Sequence, residues 1–171
     1  MVRNEQLEGN ALKTIITIAA AVAGVSLAAS ASAADFVTIP LETTVNAPAD
    51  VAWKKISGYC DIGAWFKTTC AITSGKDGEV GAVRLIAGRV SELLVAKTAW
   101  SYTYSQPKSP IDYHGTLEIR PVDKKTSKLF YTLIYDAAAL PDPSKKDADV
   151  ANRTKQFTGL LATIKGVAEA K

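Results

Sequence analysis

The chain has one histidine, His114, and two cysteines, Cys60 and Cys70, with no Cys-x-x-Cys among its 171 residues. A tetrahedral zinc site needs three or four such ligands, so no metal centre can be assembled from these residue types, and none is expected. Glycine-rich phosphate loops and dinucleotide fingerprints are absent too, which removes the usual nucleotide cofactors; no cofactor is expected. Charge of one sign is also scarce. Twenty basic and 17 acidic residues leave a net +3, too weak and too scattered a surplus for a nucleic-acid partner. Lys124-Lys125 and Lys145-Lys146 lie in turn-like segments and read as solvated. There is no internal repeat.

The one long apolar run is N-terminal. Arg3 and Lys13 flank a polar start, residues 14–30 are rich in Ala, Val and Ile, and Ala31-Ser32-Ala33 offers small residues for cleavage. This order of charge, apolar core and small residues predicts an export signal over residues 1–33, and so a periplasmic or secreted protein. The alternative is an uncleaved anchor. It is disfavoured because the run is dominated by Ala and sits near the lower length limit for spanning. Residues 34–171 then form one domain, long enough for a proper core and without a second membrane span. In an oxidising compartment an even cysteine count favours a Cys60–Cys70 disulfide, two buried thiols being the alternative.

Alternation of apolar and polar residues predicts a strand over 36–45, with Pro40 marking it as an edge strand. Pro48 then opens a helix whose buried stripe is Val51, Ala52, Trp53 and Ile56, followed by a second helical turn over 59–65. From there a meander is expected, with strands at 67–74, 80–86, 90–95, 99–105, 111–121 and 127–136 separated by Gly-, Pro- and Asp-rich turns. After Pro141-Asp142-Pro143 the period lengthens. Val150, Phe157, Leu160, Leu161, Ile164 and Val167 recur at threes and fours as a long C-terminal helix. The class is α+β with an antiparallel sheet.

Within the meander, Ala87-Gly88-Arg89 reads as a three-residue turn with Gly88 supplying the positive φ. Ile86 then faces Val90, and Arg84 faces Glu92, a cross-strand pair of opposite charge. Periodicity leaves its side open, because both faces of the hairpin are apolar. On pattern alone the pair belongs outside, since charges are seldom fully buried.

Several stretches resemble the START-like superfamily, also called SRPBCC or polyketide cyclase/dehydrase and lipid-transport proteins. They are residues 45–53 (Val-Asn-Ala-Pro-Ala-Asp-Val-Ala-Trp), Trp65, residues 80–84, Ser91-Glu92-Leu93 and residues 109–113. They look most like the bacterial branch related to plant abscisic-acid receptors and birch-pollen-type allergens. The resemblance implies a helix-grip fold, in which a curved antiparallel sheet wraps the long C-terminal helix around a cavity. It also implies that Arg84, Glu92 and Tyr113 point inward, and that a cavity lysine used by the receptors to hold a carboxylate falls at Lys67, with Phe66 the alternative. The short turn at Gly88 departs from the receptors' longer, proline-containing gate loop.

On that frame the cavity is expected to be lined by Lys67, Arg84, Ile86, Val90, Glu92, Trp100, Tyr102, Tyr104, Tyr113, Phe157 and Leu161. Either Tyr131, Leu133 and Tyr135 or Phe130, Thr132 and Ile134 would complete it. Aromatic walls with a few hydroxyls and one ion pair suit a small, mainly apolar ligand with a polar end, such as a lipid, sterol-like or polyketide-like compound. Two other readings stay open. One is a cyclase or dehydratase using Glu92 and Tyr113 as base and acid; the other is an envelope interaction module without a ligand.

Overall fold

A computed structural model describes residues 33–170 of the chain. The expected export signal lies outside the described residues, apart from Ala33. No described helix is long and apolar enough to cross a membrane.

Seven strands form one antiparallel sheet in the order β1-β7-β6-β5-β4-β3-β2. In chain order they are β1 Phe36–Val45, β2 Cys70–Ser74, β3 Val83–Ile86, β4 Val90–Lys97, β5 Ser101–Ser105, β6 His114–Pro121 and β7 Ser127–Asp136. Strands β2 to β7 run as a meander, while β1 crosses to the far edge and pairs with β7 from Phe36↔Asp136 to Val45↔Ser127. Pro40 sits on that edge, where a missing N–H breaks no ladder.

Helices α1 (Ala49–Ile56) and α2 (Ile62–Trp65) follow β1, and α3 (Lys146–Glu169) closes the chain. The curved sheet grips α3, whose Phe157, Leu160, Leu161, Ile164 and Ala168 are buried. This is a helix-grip fold, as the sequence implied. In α1 the buried stripe is Ala49, Ala52, Trp53 and Ile56, which is one face at spacings of three and four. Val51 is 43% exposed and does not belong to it. Several strands begin later than alternation predicts, at Cys70, Val83, Ser101 and His114. The missing residues form turns that close on their own backbone, such as Ala82 N–H to Glu79 O and Thr98 N–H to Ser101 O.

Cys60 and Cys70 are joined, with their Cα atoms 5.5 Å apart. The bridge staples the loop after α1 to the start of β2 and encloses all of α2. A loop of this length contributes about 2–3 kcal/mol by restricting the unfolded chain. The Cys60→Ser/Cys70→Ser variant is therefore expected to unfold at lower urea concentration by that amount, and an unchanged midpoint would count against the bridge.

Candidate functional site: a cavity above a caged ion pair

The hairpin of β3 and β4 has the register Arg84↔Glu92 and Ile86↔Val90. Its turn differs from expectation in one respect: Ala87 at φ 51° shares the left-handed conformation with Gly88 at φ 68°. Two consecutive left-handed residues match the twist of the flanking strands. The Ala87 N–H is held by Thr69 O at 2.9 Å, so the neighbouring loop supports a conformation that alanine rarely adopts.

The charged pair lies inside. Arg84 is 0% and Glu92 2% exposed, on the face that also buries Ala82, Ile86 and Leu94. Arg84 Nε donates to Glu92 Oε2 at 2.7 Å, and Nη1 donates to the Tyr59 carbonyl. Gln106 Nε2 donates to Glu92 Oε1 at 2.9 Å, so both carboxylate oxygens are engaged. The guanidinium lies 4.2 Å from the Tyr59 ring centre, 5.0 Å from Tyr104 and 5.9 Å from Tyr102. Ring faces are the electronegative surface that a desolvated cation requires, and the carboxylate supplies the rest. This cage is why the base rate for exposed charge fails here.

All six tyrosines of the chain are buried. Tyr104 and Tyr131 join hydroxyl to hydroxyl at 2.8 Å. Burial pushes the Tyr102 phenol up to about 12, and holds those of Tyr104 and Tyr131 well above the ordinary value. Gly115, opposite Tyr104 in the β5–β6 ladder, makes room for that ring. A Cβ there would fall 2.4 Å from both Tyr104 Cζ and its hydroxyl oxygen. A glycine inside a strand is a legible signal of such close approach. Gly115→Ala is expected to displace Tyr104, break its bond to Tyr131 and destabilise the fold by about 1–3 kcal/mol. Thermal unfolding reads this directly, and wild-type stability in the variant would show that the ring is free to move aside.

Between the sheet and α3 is a cavity of about 520 Å³. Of the expected lining, Lys67, Ile86, Val90, Glu92, Tyr104, Tyr113 and Phe157 border it. Arg84, Tyr102 and Leu161 are buried but stand behind that wall. Arg84 is screened by the tyrosine rings that cage it, while Tyr102 packs instead on Trp53 and Tyr59.

Trp100 is misplaced by the sequence reading. It is 38% exposed, because residues 98–100 form the β4–β5 turn and the inward alternation starts only at Tyr102. Of the two choices on β7, the set Tyr131, Leu133 and Tyr135 faces in, and Tyr131 reaches the cavity. His114 does not border the cavity; it is half-buried, its Nε2 2.9 Å from Asp112 Oδ1.

Sequence reasoning missed Ile62, Thr68, Ala87, Arg89, Gln106 and Gln156, all of which border the cavity, while both Phe66 and Lys67 do so. Six of these eight belong to the loops at its mouth. Lys67, at φ 51°, ends α2 as a left-handed residue. Thr68 N–H bonds to Gly63 O at 2.8 Å and Lys67 N–H to Ala64 O at 3.4 Å, the double closure usually built on glycine.

The family model described as polyketide cyclase / dehydrase and lipid transport matches residues 37–169. No curated protein sequence matches the chain. Among solved structures, a protein from Nitrosospira multiformis is similar at TM-score 0.63 and 23% identity, over 76% of this chain and 94% of that one. The Zhui aromatase/cyclase from Streptomyces sp. R1128 is similar at TM-score 0.62 and 17% identity, over 79% and 94%. Norcoclaurine synthase from Thalictrum flavum, in complex with dopamine and hydroxybenzaldehyde, is similar at TM-score 0.60 and 15% identity, over 78% and 87%. Such identities speak for a shared fold and not for a shared reaction. With the model matching nearly all of the described residues, the chain belongs to the polyketide cyclase/dehydrase and lipid transport family.

Proposed function

We propose that this protein is an exported carrier or sensor that holds a small, mainly apolar molecule with a polar end. The observation that carries the reading is the cavity of about 520 Å³, floored by Tyr104, Tyr113 and Tyr131 and edged by Lys67, Arg89, Gln106 and Gln156. That volume suits a ligand of small-molecule size. The rings provide an apolar bed with hydroxyls in reach of one or two ligand oxygens. The cations and amides at the edge suit the polar end. Lipids, sterol-like and polyketide-like compounds share this build, and the pattern of charge, apolar run and small residues over 1–33 supports export to the periplasm or beyond.

The alternative enzyme would use Glu92 as a base. Its two oxygens already accept from Arg84 and Gln106, so the carboxylate is occupied by the cage, which supports carriage over catalysis. The void inside the domain likewise supports a ligand over a solid interaction module.

Native mass spectrometry of the protein from its own host, with extraction of bound lipids, is expected to return an amphiphilic guest. Val90→Trp, which fills the wall at a half-buried position, is expected to weaken that binding by at least about ten-fold. Failure of every apolar probe to bind the wild type would reject the carrier. Turnover of a polyketide-like substrate that is lost in Glu92→Gln would select the enzyme instead.

A further inference from the structure

We propose that the mouth of the cavity docks reversibly on an anionic membrane surface. Three loops supply mouth residues: 66–69 between α2 and β2, 87–89 between β3 and β4, and 106–109 between β5 and β6. They read Phe-Lys-Thr-Thr, Ala-Gly-Arg and Gln-Pro-Lys-Ser, with three cations and no carboxylate. Lys67, Arg89 and Lys108 are all exposed. None of them is in an ion pair with a described residue, so their charges are open to an outside anion, as are those of exposed Lys54, Lys124 and Lys155 elsewhere on the surface. The nearby acid Asp112 is engaged by His114. Exposed Asp147 lies in the first turn of α3, about two and a half turns before Gln156.

An aromatic ring stands among these charges. Phe66 is 39% exposed at the edge of the cavity. A ring beside cations gains from an interface with acyl chains behind it, which a soluble polyanion does not offer. The loop that presents Phe66 and Lys67 is preorganised at both ends. The Cys60–Cys70 bridge encloses it, and the double backbone closure onto Gly63 and Ala64 sets Lys67 in a conformation where glycine is the usual choice. A mouth pressed to a membrane would let an apolar guest pass without exposing its surface to water. Three cations with one ring give weak, reversible attachment, not an anchor.

Docking does not rest on the carrier reading, because the loops are present whether or not the cavity is filled. Hydrogen exchange of the full chain is compared without vesicles, with phosphatidylcholine vesicles, and with vesicles containing phosphatidylglycerol. Only the last are expected to slow exchange at residues 66–69, 87–89 and 106–109. The local readout separates the loops from any membrane affinity of residues 1–33. Lys67→Glu/Arg89→Glu/Lys108→Glu is expected to abolish that protection, and each single Lys or Arg→Gln change to weaken docking about five-fold. Molar salt should release it. Equal protection on neutral vesicles, protection confined to the N-terminal segment, or full protection in the triple variant would each overturn the proposal. A fold check by circular dichroism keeps the triple variant interpretable, and Phe66→Ser, which leaves every charge in place, is expected to weaken docking as well.

Discussion

Glu92→Leu is expected to destabilise the protein by about 3–5 kcal/mol, much of a typical domain's whole margin of roughly 5–15 kcal/mol. The variant leaves the Arg84 guanidinium fully buried, with only the Tyr59 carbonyl and the aromatic rings around it. A guanidinium cannot shed its charge by losing a proton, so the desolvation stays uncompensated. Arg84→Met should cost less, because a carboxylic acid can neutralise itself and Gln106 still donates to Glu92. The double variant Arg84→Met/Glu92→Leu replaces both charges by apolar groups of similar length. It is expected to be clearly more stable than Glu92→Leu alone, by at least about 2 kcal/mol, since a buried pair often does little better than a packed apolar substitute. Urea midpoints at constant slope measure all four corners of the cycle. Additive losses would mean that the two side chains do not depend on each other.

The second large effect is on alkaline stability. Every tyrosine phenol in the fold is held above its ordinary value, chiefly by burial. In the unfolded chain these phenols ionise near pH 10, as free tyrosine does. Below that pH both states keep their protons and the stabilisation is fully present. Above it the unfolded state loses protons that the fold retains, so stability falls as pH rises toward the folded-state values. Those are about 12 for Tyr102 and Tyr135, and the other four phenols are raised in the same direction by burial. Each tyrosine contributes a slope of about 1.4 kcal/mol per pH unit once ionised in the unfolded chain. Six acting together approach about 8 kcal/mol per pH unit. We expect no phenolate absorbance from the native protein at pH 10, then a cooperative step between roughly pH 10.5 and 12 in which ionisation and loss of circular dichroism coincide. Gradual ionisation near pH 10 with the fold intact would show that the rings are open to water.

The succession of elements was readable because local rules and tertiary packing agree along most of the chain. Strand β1 alternates cleanly, and the length of the Ala87-Gly88-Arg89 turn sets the pairing of Arg84 with Glu92. The periodicity of Phe157, Leu160, Leu161 and Ile164 marks the face of α3 that the sheet covers. Strand ends were harder, since alternation continues into turns such as that at Trp100, where backbone closure decides the direction of the side chain. The mouth residues were least readable. Thr68, Arg89 and Gln156 carry no periodic or motif signal, and they meet only because the loop after α2, the hairpin turn and α3 converge in space.

Residue pattern alone established the order of elements in an α+β chain, the register of the central hairpin and the supply of aromatic residues for an interior, while the helix grip followed from the family resemblance. That Arg84 and Glu92 face inward was implied by the family resemblance but not by periodicity, and the tertiary structure supplies the reason: a cage of Tyr59, from the loop after α1, with Tyr102, Tyr104 and Gln106 of β5 and its end. A two-residue alternation assigns neighbours to opposite faces of a strand, but which face loses its water depends on what the rest of the chain lays against it.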